Sequence, residues 1–372
     1  MPSVDLTTLP GWSSLSAGSH NITIVAKADG YRDSEPSAAV SVEKAAEAYT
    51  DCLTFTGEDG QDFTLQATYN EWDGVLEYST DHNTWTTLSA AGVEMPSVNG
   101  KLYLRGSGNT KFYTNKGARL SLSARAACSG NIQTLLNYSN PPTSIPASRC
   151  YFAMFKNCTN LTTPPALPAT TLADFCYLYM FENCTSLIEA PALPATTLAS
   201  HCYSYMFNGC TSLTTAPALP ATTLADSCYD KMFQNCTSLT TPPALPATTL
   251  ASYCYRYMFY GCTSLTTPPA LPATTLADSC YDSMFYKCTD LTAAPALPAT
   301  TLASRCYLSM FRYCTSLKIS VTQSSEYPTA WRIPSSGTIS STPTSWNSSM
   351  LSKTGGTFTS NPSINTTYYG AW

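Results

Sequence analysis

Apolar residues recur with a fixed period of 26 along residues 148–317, where the chain consists of seven near-identical units. One unit, starting at Asp226, reads D-S-C-Y-D-K-M-F-Q-N-C-T-S-L-T-T-P-P-A-L-P-A-T-T-L-A. A period of this length is typical of proteins built from stacked repeats, in which no single unit can bury its apolar side without a neighbour. The spacing therefore predicts a solenoid of seven repeats.

Within each unit the pattern predicts one helix, one strand and one irregular return. Cys228, Met232 and Cys236 follow one another at intervals of four, which is the spacing of one face of a helix. Phe233 joins that face, and Asp226 is a suitable helix N-cap. The next segment, T-S-L-T-T, is rich in β-branched residues and predicts a short strand. The prolines after it exclude a longer strand and predict an irregular path back to the next helix.

The segments before the repeats show the alternation of apolar and polar residues that is typical of strands. Residues 11–46 predict a β-hairpin with Ile22, Ile24 and Ala26 in one strand, a turn at Asp29-Gly30 and a second strand near Val40–Val42. Residues 50–127 predict a small β domain. Its expected strands are Leu53–Thr56, Phe63–Thr68, Leu76–Ser79, Lys101–Arg105 and Arg119–Leu122.

The predicted fold class is α+β, with small all-β domains before the solenoid. Residues 11–46 resemble the last strands of an immunoglobulin-like or fibronectin-type module. The cap at the start of the solenoid is expected to use Ile132, Leu135 and Leu136. The predicted boundaries are 1–47 for the partial immunoglobulin-like module, 48–128 for the small β domain, 129–147 for the N-terminal cap, 148–317 for the seven repeats and 318–372 for a strand-like C-terminal cap.

The M-F-x-x-C-T-S-L core of the unit carries a family resemblance. With its 26-residue period it resembles the 26-residue repeat of bacterial surface proteins and the BspA-like branch of leucine-rich repeats, whose units carry a comparable A-F-x-x-C-x-x-L element. The sequence departs from those families in having L-P-A-T-T-L where they usually show an isoleucine-rich or Asp-Leu-Ser strand. The resemblance implies an extracellular, non-catalytic binding role.

Charged residues make up only 12% of the chain, and the net charge is −5. Without a basic stripe, nucleic acid and anionic membranes are not expected as partners. No stretch approaches the ~20 apolar residues of a membrane-spanning helix, so membrane insertion is not expected. The first residues lack the basic start and apolar run of a signal peptide. We therefore expect a fragment of a larger exported protein or a component released by lysis, such as a phage particle.

Cysteines dominate the candidate chemistry. Fourteen of the sixteen fall in two series that each step by 26. They are Cys150, Cys176, Cys202, Cys228, Cys254, Cys280 and Cys306, and Cys158, Cys184, Cys210, Cys236, Cys262, Cys288 and Cys314. The C-x7-C spacing is not that of structural zinc and only three histidines exist, so no metal site is predicted.

Two structural interpretations of the cysteines stay open. On a helix, the two cysteines of one unit lie ~12 Å apart, farther than the ~7 Å between Cα atoms that a disulfide can bridge. That spacing favours two ladders of buried thiols. In a loop, seven disulfides within the repeats are the alternative. Cys52 and Cys128 lie outside the pattern, and a disulfide between them is a further alternative.

No Ser/His/Asp, Cys/His or paired-carboxylate arrangement stands out, so neither an enzyme nor a cofactor is predicted. The acidic run at residues 57–62, G-E-D-G-Q-D, is interpreted as a solvated turn, with a calcium loop as the alternative. The repeated L-P-A-T-T lacks the glycine of the wall-sorting signal that it resembles and is interpreted as a corner of the solenoid.

The repeats differ mainly at five positions: the residue before the first Cys, the two after the constant Tyr and the two after Met-Phe. On the predicted helix these lie away from Cys, Met and Phe. They are rich in Tyr, Arg, Asn, Ser and Phe, whereas drift on a solvated helix favours Lys, Glu, Gln and Ala. Tyr and Arg are enriched at binding hot spots. The candidate ligand-binding residues are Tyr179, Tyr205, Tyr253, Tyr257, Tyr260, Arg256, Tyr286 and Arg312.

The predicted function is recognition or adhesion through this face. Tyr179, Tyr205 and Tyr257 are expected to form a row one repeat apart, with a gap at Lys231. The expected partner is a protein or glycan on a cell surface, and the expected location is extracellular, on a cell surface or a virion, within a larger assembly. The alternative is a structural spacer or decorating subunit in which the solenoid is a rigid rod.

Overall fold

A computed structural model describes the backbone of residues 18–22 and 40–44, and residues 52–68, 72–88, 93–112 and 119–372. The chain divides into two compact units, residues 1–50 and residues 51–372. In the part of the chain so described, the helical elements are two short 3-10 turns, Glu58–Gly60 and Ile132–Leu135. The helices expected from the predicted α+β class are therefore absent from the described residues. No helix among the described residues is long and apolar enough to cross a membrane.

The described residues of the first unit form one pair of strands. β1 (Gly18–Ile22) and β2 (Val40–Lys44) are antiparallel, with Gly18 opposite Lys44 and Ile22 opposite Val40. This pairing agrees with the predicted hairpin. The turn expected at Asp29-Gly30 lies outside the described residues, as do Ile24 and Ala26.

The second unit begins with a group of strands that contains all five predicted ones. They are β3 (Leu53–Gly57), β4 (Thr64–Thr68), β5 (Val75–Ser79), β6 (Thr86–Thr87), β7 (Val93–Pro96), β8 (Lys101–Ser107), β9 (Arg119–Leu122) and β10 (Ala126–Ser129). Every second residue of β8 is buried, starting at Leu102 and Leu104. Burial alternates along the strand because successive side chains point to opposite faces.

These strands form two sheets, and one of them continues into the repeats. The three-stranded sheet has the order β7-β4-β9, and the six-stranded sheet has the order β11-β10-β3-β8-β5-β6. β11 (Leu161–Thr163) belongs to the first repeat and pairs with β10 in parallel. The β domain and the repeats thus share a sheet, and their buried residues form one continuous core.

The seven repeats contain overlapping turns in place of the predicted helix. In the second repeat, Cys176 N donates to Ala173 O, Met180 N to Tyr177 O, and Cys184 N to Phe181 O. The residue before each of these three donors has a positive φ: 58° at Phe175, 60° at Tyr179 and 59° at Asn183. An α-helix needs negative φ at every residue, so one left-handed residue in every four excludes it. A positive φ at the third turn residue is the geometry of a type II turn.

The backbone donors between these turns point to the next repeat. Tyr177 N donates to Cys202 O at 3.0 Å, and Phe181 N donates to Met206 O at 2.9 Å. The same ladder connects every neighbouring pair of repeats. Donors alternate between the turn within a repeat and the carbonyl of the next one, so this buried backbone is satisfied. In a helix these donors would bond within the same segment, whereas here they join one repeat to the next.

Constant side chains form the interior of the stack. The seven tyrosines that follow the first cysteine stack ring on ring at 5.7–5.9 Å, and each is at most 1% exposed. The phenylalanines of Met-Phe stack in the same way at 5.5–5.8 Å. Burying one such aromatic side chain contributes about 1.5–3 kcal/mol, so the two ladders provide much of the stability.

The T-S-L-T-T segment forms a strand in the first repeat only. Further along it makes isolated parallel bridges, such as that between Thr215 and Thr241. The strand prediction was therefore wrong for the other repeats. The prolines that follow have no N–H for a longer ladder. Leu239 and Leu245 are buried, whereas Leu250 is only half-buried.

The two ends of the stack are covered by the neighbouring segments. At the start, the ring of Phe112 stacks on Tyr151 at 5.7 Å, and Ile132 N donates to Ala166 O. Ile132, Leu135 and Leu136 are all buried. At the other end, β12 (Ile319–Ser320), β13 (Thr329–Arg332) and β14 (Thr367–Gly370) form an antiparallel sheet in the order β12-β14-β13.

The C-terminal segment also contains an eighth run of turns. Positive φ recurs at Ser345, Ser349 and Lys353, again every fourth residue. Tyr307 N donates to Trp346 O at 2.8 Å and continues the ladder of the repeats. The sequence S-W-N-S-S-M-L-S-K-T takes the place of R-C-Y-L-S-M-F-R-Y-C 40 residues earlier. This run could not be found from the 26-residue pattern, because it lies 40 residues after the seventh repeat's run and contains no cysteine.

Candidate recognition face

The turn runs separate constant and variable positions by burial. Both cysteines, the tyrosine, the methionine and the phenylalanine of each run are at most 1% exposed. Of the eight candidate ligand-binding residues, Tyr253 is exposed at 39%, and the other seven are half-buried. The turns thus place the constant residues inside and the eight candidates at the surface. The predicted helix gave the same division, because it also placed the variable positions on the side away from Cys, Met and Phe.

A continuous row of rings runs along this surface. Tyr179 and Tyr205 lie 4.7 Å apart between ring centroids. The expected gap at Lys231 is filled, because its ammonium group lies 4.5 Å from the Tyr205 ring centroid and 5.4 Å from that of Tyr257. Lys231 Nζ also donates to the Tyr205 hydroxyl. A cation above an aromatic face is attracted by the ring quadrupole, so the lysine links the two parts of the row.

The row continues through the last three repeats. The Tyr257 ring meets Tyr260 edge-on at 5.7 Å, Tyr260 stacks on Tyr286 at 4.9 Å, and Tyr286 lies 5.5 Å from Tyr313. Tyr313 belongs to the row although the sequence did not single it out. We call the surface formed by Tyr179, Tyr205, Lys231, Tyr253, Tyr257, Tyr260, Tyr286, Lys287, Arg312 and Tyr313 the recognition face.

Arg256 has an internal partner. Its Nε and one terminal nitrogen donate to the two oxygens of Asp230 at 3.0 and 2.9 Å. Only 4% of the Asp230 side chain is exposed. The hydrogen bond from Arg256 to this carboxylate raises the pKa of the guanidinium. Arg256 therefore neutralises a buried charge, a role that the sequence-based assignment to ligand binding did not foresee.

Three other cations of the face have no such partner. Lys287 lies 5.8 Å from the ring centroids of both Tyr260 and Tyr286, and Arg312 lies 5.3 Å from that of Tyr313. Among the residues that the structure describes, Lys231, Lys287 and Arg312 form no ion pair with a carboxylate. The Nε of Arg312 is buried and has no hydrogen-bond partner there.

Backbone geometry explains part of the variable composition. The last variable position has positive φ in every repeat, as at Asn183 and at Gly209. Glycine and asparagine adopt this conformation most readily, so their frequency at that position reflects the turn. The position of Tyr179, Tyr205 and Tyr257 also has positive φ, and tyrosine has no such advantage there. Backbone preference therefore accounts for Asn and Gly but not for the tyrosines.

The fourteen repeat cysteines are buried thiols. Each second-series cysteine from Cys184 onward donates its S–H to the phenylalanine carbonyl of the preceding repeat, at 2.9–3.1 Å. Burial raises the pKa of Cys202 and Cys254 to about 12. Because the thiolate is the reactive form, these side chains are poor nucleophiles. The structure has the thiols arranged in two ladders, as one of the two interpretations expected, although the helical distance argument behind it was wrong.

The two cysteines outside the pattern are not joined by a disulfide. Cys52 Sγ lies 3.4 Å from His82 Nε2, and Cys128 is fully buried. In the acidic run, Asp62 accepts hydrogen bonds from Gly100 N and from the Ser97 hydroxyl. Within the described ranges, no group of three or more His, Cys, Asp or Glu side chains is placed to hold a metal ion.

Three cavities lie on the proline return and contain no residue of the recognition face. One of about 460 Å³ is lined mainly by residues 163–168 and 189–194, another of about 420 Å³ by residues 267–272 and 293–298, and a third of about 310 Å³ by residues 242–246 and neighbours. Proline and alanine make up most of their lining. The sequence predicted an irregular return there but no cavities, because their volume depends on how the prolines of adjacent repeats pack.

A comparison with protein families classifies the repeats. Residues 145–266 and 227–327 match the family described as BspA type Leucine rich repeat region, in six copies. Over these residues the chain is similar to BspA-type leucine-rich repeats. The match supports the resemblance to BspA-like leucine-rich repeats that was drawn from the M-F-x-x-C-T-S-L core, while the 26-residue repeat of bacterial surface proteins and the immunoglobulin-like N-terminus stay predictions. BspA-type repeats are typical of surface proteins and indicate a protein-interaction or adhesion role. No curated protein and no solved structure shows significant similarity to the chain.

Proposed function

We propose that the BspA-type repeats form a solenoid whose recognition face binds a glycan or protein on a cell surface. The protein is then a non-enzymatic adhesion or recognition molecule, located outside the cell or on a virion. The observation that carries the proposal is the row of half-exposed rings from Tyr179 to Tyr313, bridged between Tyr205 and Tyr257 by Lys231, on an otherwise constant scaffold.

The strain of the tyrosine position supports this assignment. Tyr179, Tyr205 and Tyr257 have φ of 54–60°, a region that costs a side chain such as tyrosine roughly 1–2 kcal/mol. Serine stands at the same place in the last two repeats, so the scaffold does not require tyrosine. Contacts between neighbouring rings already restrict the side chains, which lowers the entropy lost on binding. A half-exposed, pre-ordered row of tyrosines suits recognition.

The test replaces three tyrosines with residues that the chain itself uses at the same positions. Tyr205→Ser and Tyr257→Ser copy Ser283 and Ser309, and Tyr260→Gln copies the fourth repeat. We expect the triple variant to lose at least about tenfold in affinity, about 1.4 kcal/mol, on a glycan array and on intact cells that bind the unaltered protein. Its thermal unfolding should stay close to that of the unaltered protein.

A matched control carries Thr222→Ala, Thr248→Ala and Thr274→Ala, three exposed positions on the L-P-A-T-T corners. This variant should bind normally. Equal binding by the tyrosine variant and the unaltered protein would contradict the proposal.

The structural spacer is the second candidate function. It is supported by the hydrogen-bond ladder, which continues without interruption from the first repeat into the eighth run of turns at Trp346. A spacer should bind none of the glycans or cells tested, and the tyrosine variant would then leave attachment to its assembly unchanged. The same experiment therefore separates the two functions.

A further inference from the structure

The recognition face has the opposite charge to the rest of the chain. The five variable positions of the seven repeats contain seven Lys and Arg residues and three Asp and Glu residues, whereas the remaining chain contains 12 and 21. A protein of net charge −5 thus concentrates positive charge on one surface. Local charge of one sign attracts a ligand of the other sign.

Internal pairing leaves that excess positive charge in the C-terminal half of the face. Two of the three acids are neutralised, Asp230 by Arg256 and Glu182 by Lys156. The third, Asp282, is buried and accepts a hydrogen bond from the Ser283 hydroxyl. Lys231, Lys287 and Arg312 remain without carboxylate partners among the residues described above.

These three cations are spaced along the row of rings. They belong to the fourth, sixth and seventh repeats, and each lies within 5.9 Å of two tyrosine ring centroids. The buried, unsatisfied Nε of Arg312 is a hydrogen-bond donor still in need of an acceptor. A guanidinium presents its donors in a planar fork that matches a carboxylate. The surface therefore combines aromatic faces with anion-binding groups spread over the fourth to seventh repeats.

We propose that the recognition face binds an anionic polysaccharide that runs along the stack of repeats. This inference rests on the proposed recognition function and names its ligand class. The apolar C–H face of a sugar ring packs on a tyrosine ring, and carboxylate or sulfate groups of acidic sugars pair with Lys231, Lys287 and Arg312. A linear polymer suits a row in which neighbouring rings follow at 4.7–5.7 Å.

A protein partner fits this surface less well. Hot spots of protein interfaces fill well-packed pockets, and the three cavities of the repeats lie on the proline return instead. Single-stranded nucleic acid also stacks on aromatic rows beside cations. The acidic remainder of the chain repels a polyanion with the high charge density of nucleic acid. An acidic sugar chain carries its charges farther apart and is repelled less.

The test uses the full chain and a panel of polysaccharides. Binding to polygalacturonate, hyaluronate, chondroitin sulfate, neutral dextran, poly-glutamate and single-stranded DNA is measured by affinity electrophoresis and calorimetry at several salt concentrations. We expect binding to at least one acidic polymer, none to dextran, and an affinity that falls as salt screens the charges.

A triple variant, Lys231→Ser, Lys287→Asn and Arg312→Gln, again copies residues from other repeats. It should lose at least tenfold in affinity for the acidic polymer while keeping the thermal unfolding of the unaltered protein. The control, Lys101→Gln, Arg125→Gln and Lys318→Gln, makes the same change in net charge away from the face and should bind normally.

Four outcomes would overturn the inference: dextran binding as tight as that of the acidic polymers, equal loss in the control, full binding by the cation variant, or binding only to poly-glutamate or single-stranded DNA. The result also separates this inference from the proposed function. If the tyrosine variant loses cell or glycan binding while the cation variant keeps it, the face is a recognition surface and only its anionic ligand is wrong. If the tyrosine variant keeps its binding, the recognition function itself is wrong.

Discussion

Alkaline pH should unfold the repeats through their buried thiols. Burial raises the pKa of Cys158, Cys202, Cys254 and Cys306 to about 12 in the folded chain, from an ordinary value of 9.0. Their pKa values are raised on folding, so their contribution to stability is fully present below pH 9.0. It is lost as pH rises from 9.0 towards about 12, because the unfolded chain releases these protons first.

The size of the effect follows from that difference. At about pH 10, keeping one such thiol protonated costs about 1.4 kcal/mol relative to the unfolded chain. The four thiols together then remove about 5–6 kcal/mol, close to the whole stability of a typical domain at about 5–15 kcal/mol. The pKa values of the other repeat thiols are also raised by burial, as for Cys228 and Cys236. We therefore expect steep unfolding near pH 10.

The assay follows circular dichroism and thiolate ultraviolet absorbance together, in reductant, from neutral pH upward. Thiolate absorbance should appear only where structure is lost. A variant with Cys202→Ser, Cys254→Ser and Cys306→Ser should show a slope of unfolding free energy against pH that is shallower by about 1.4 kcal/mol per pH unit for each thiol removed. Thiols that ionise near pH 9.0 in a chain with intact circular dichroism would refute the reasoning.

Two further predictions concern buried polar groups, and both are measured by chemical denaturation. Tyr177→Phe should leave stability unchanged or raise it, because the Tyr177 hydroxyl is buried without a partner in the described part of the chain. Tyr151→Phe should cost about 1–2 kcal/mol, because it removes the donor at 2.6 Å from Gln133 Oε1; equal effects of the two changes would contradict this. Arg256→Leu should cost about 1–3 kcal/mol, below the value for fully buried pairs because Arg256 is 30% exposed. Adding Asp230→Ser should restore much of the loss, and no rescue would show that the loss does not come from the unpaired Asp230 carboxylate.

Most of the β domain could be predicted from residue alternation. Leu102 and Leu104 alternate with polar residues in β8, and alternate side chains of a strand necessarily face opposite sides. The pairing order of the strands could not be predicted in the same way. It depends on contacts between distant segments, such as Leu53 opposite Leu104.

The helix was predicted from a spacing that two structures share. Cys228, Met232 and Cys236 recur every four residues, which suits one face of a helix and equally suits turns that overlap with the same period. The helix and the overlapping turns differ in which carbonyl groups accept the backbone N–H hydrogen bonds. Tyr229 N bonds to Cys254 O in the next repeat at 3.1 Å, and a single repeat contains no information about that partner.

The sequence by itself determined the period, the family resemblance and the division into constant and variable positions, because burial in a stack constrains the same residues in every repeat. Only the tertiary structure decided that the turns replace a helix, since neighbouring repeats supply the hydrogen-bond acceptors. It also decided that the recognition face is continuous. Lys231 interrupts the tyrosines along the chain, but stacking of the repeats places its ammonium group beside the rings of Tyr205 and Tyr257. The row exists only where the repeats meet.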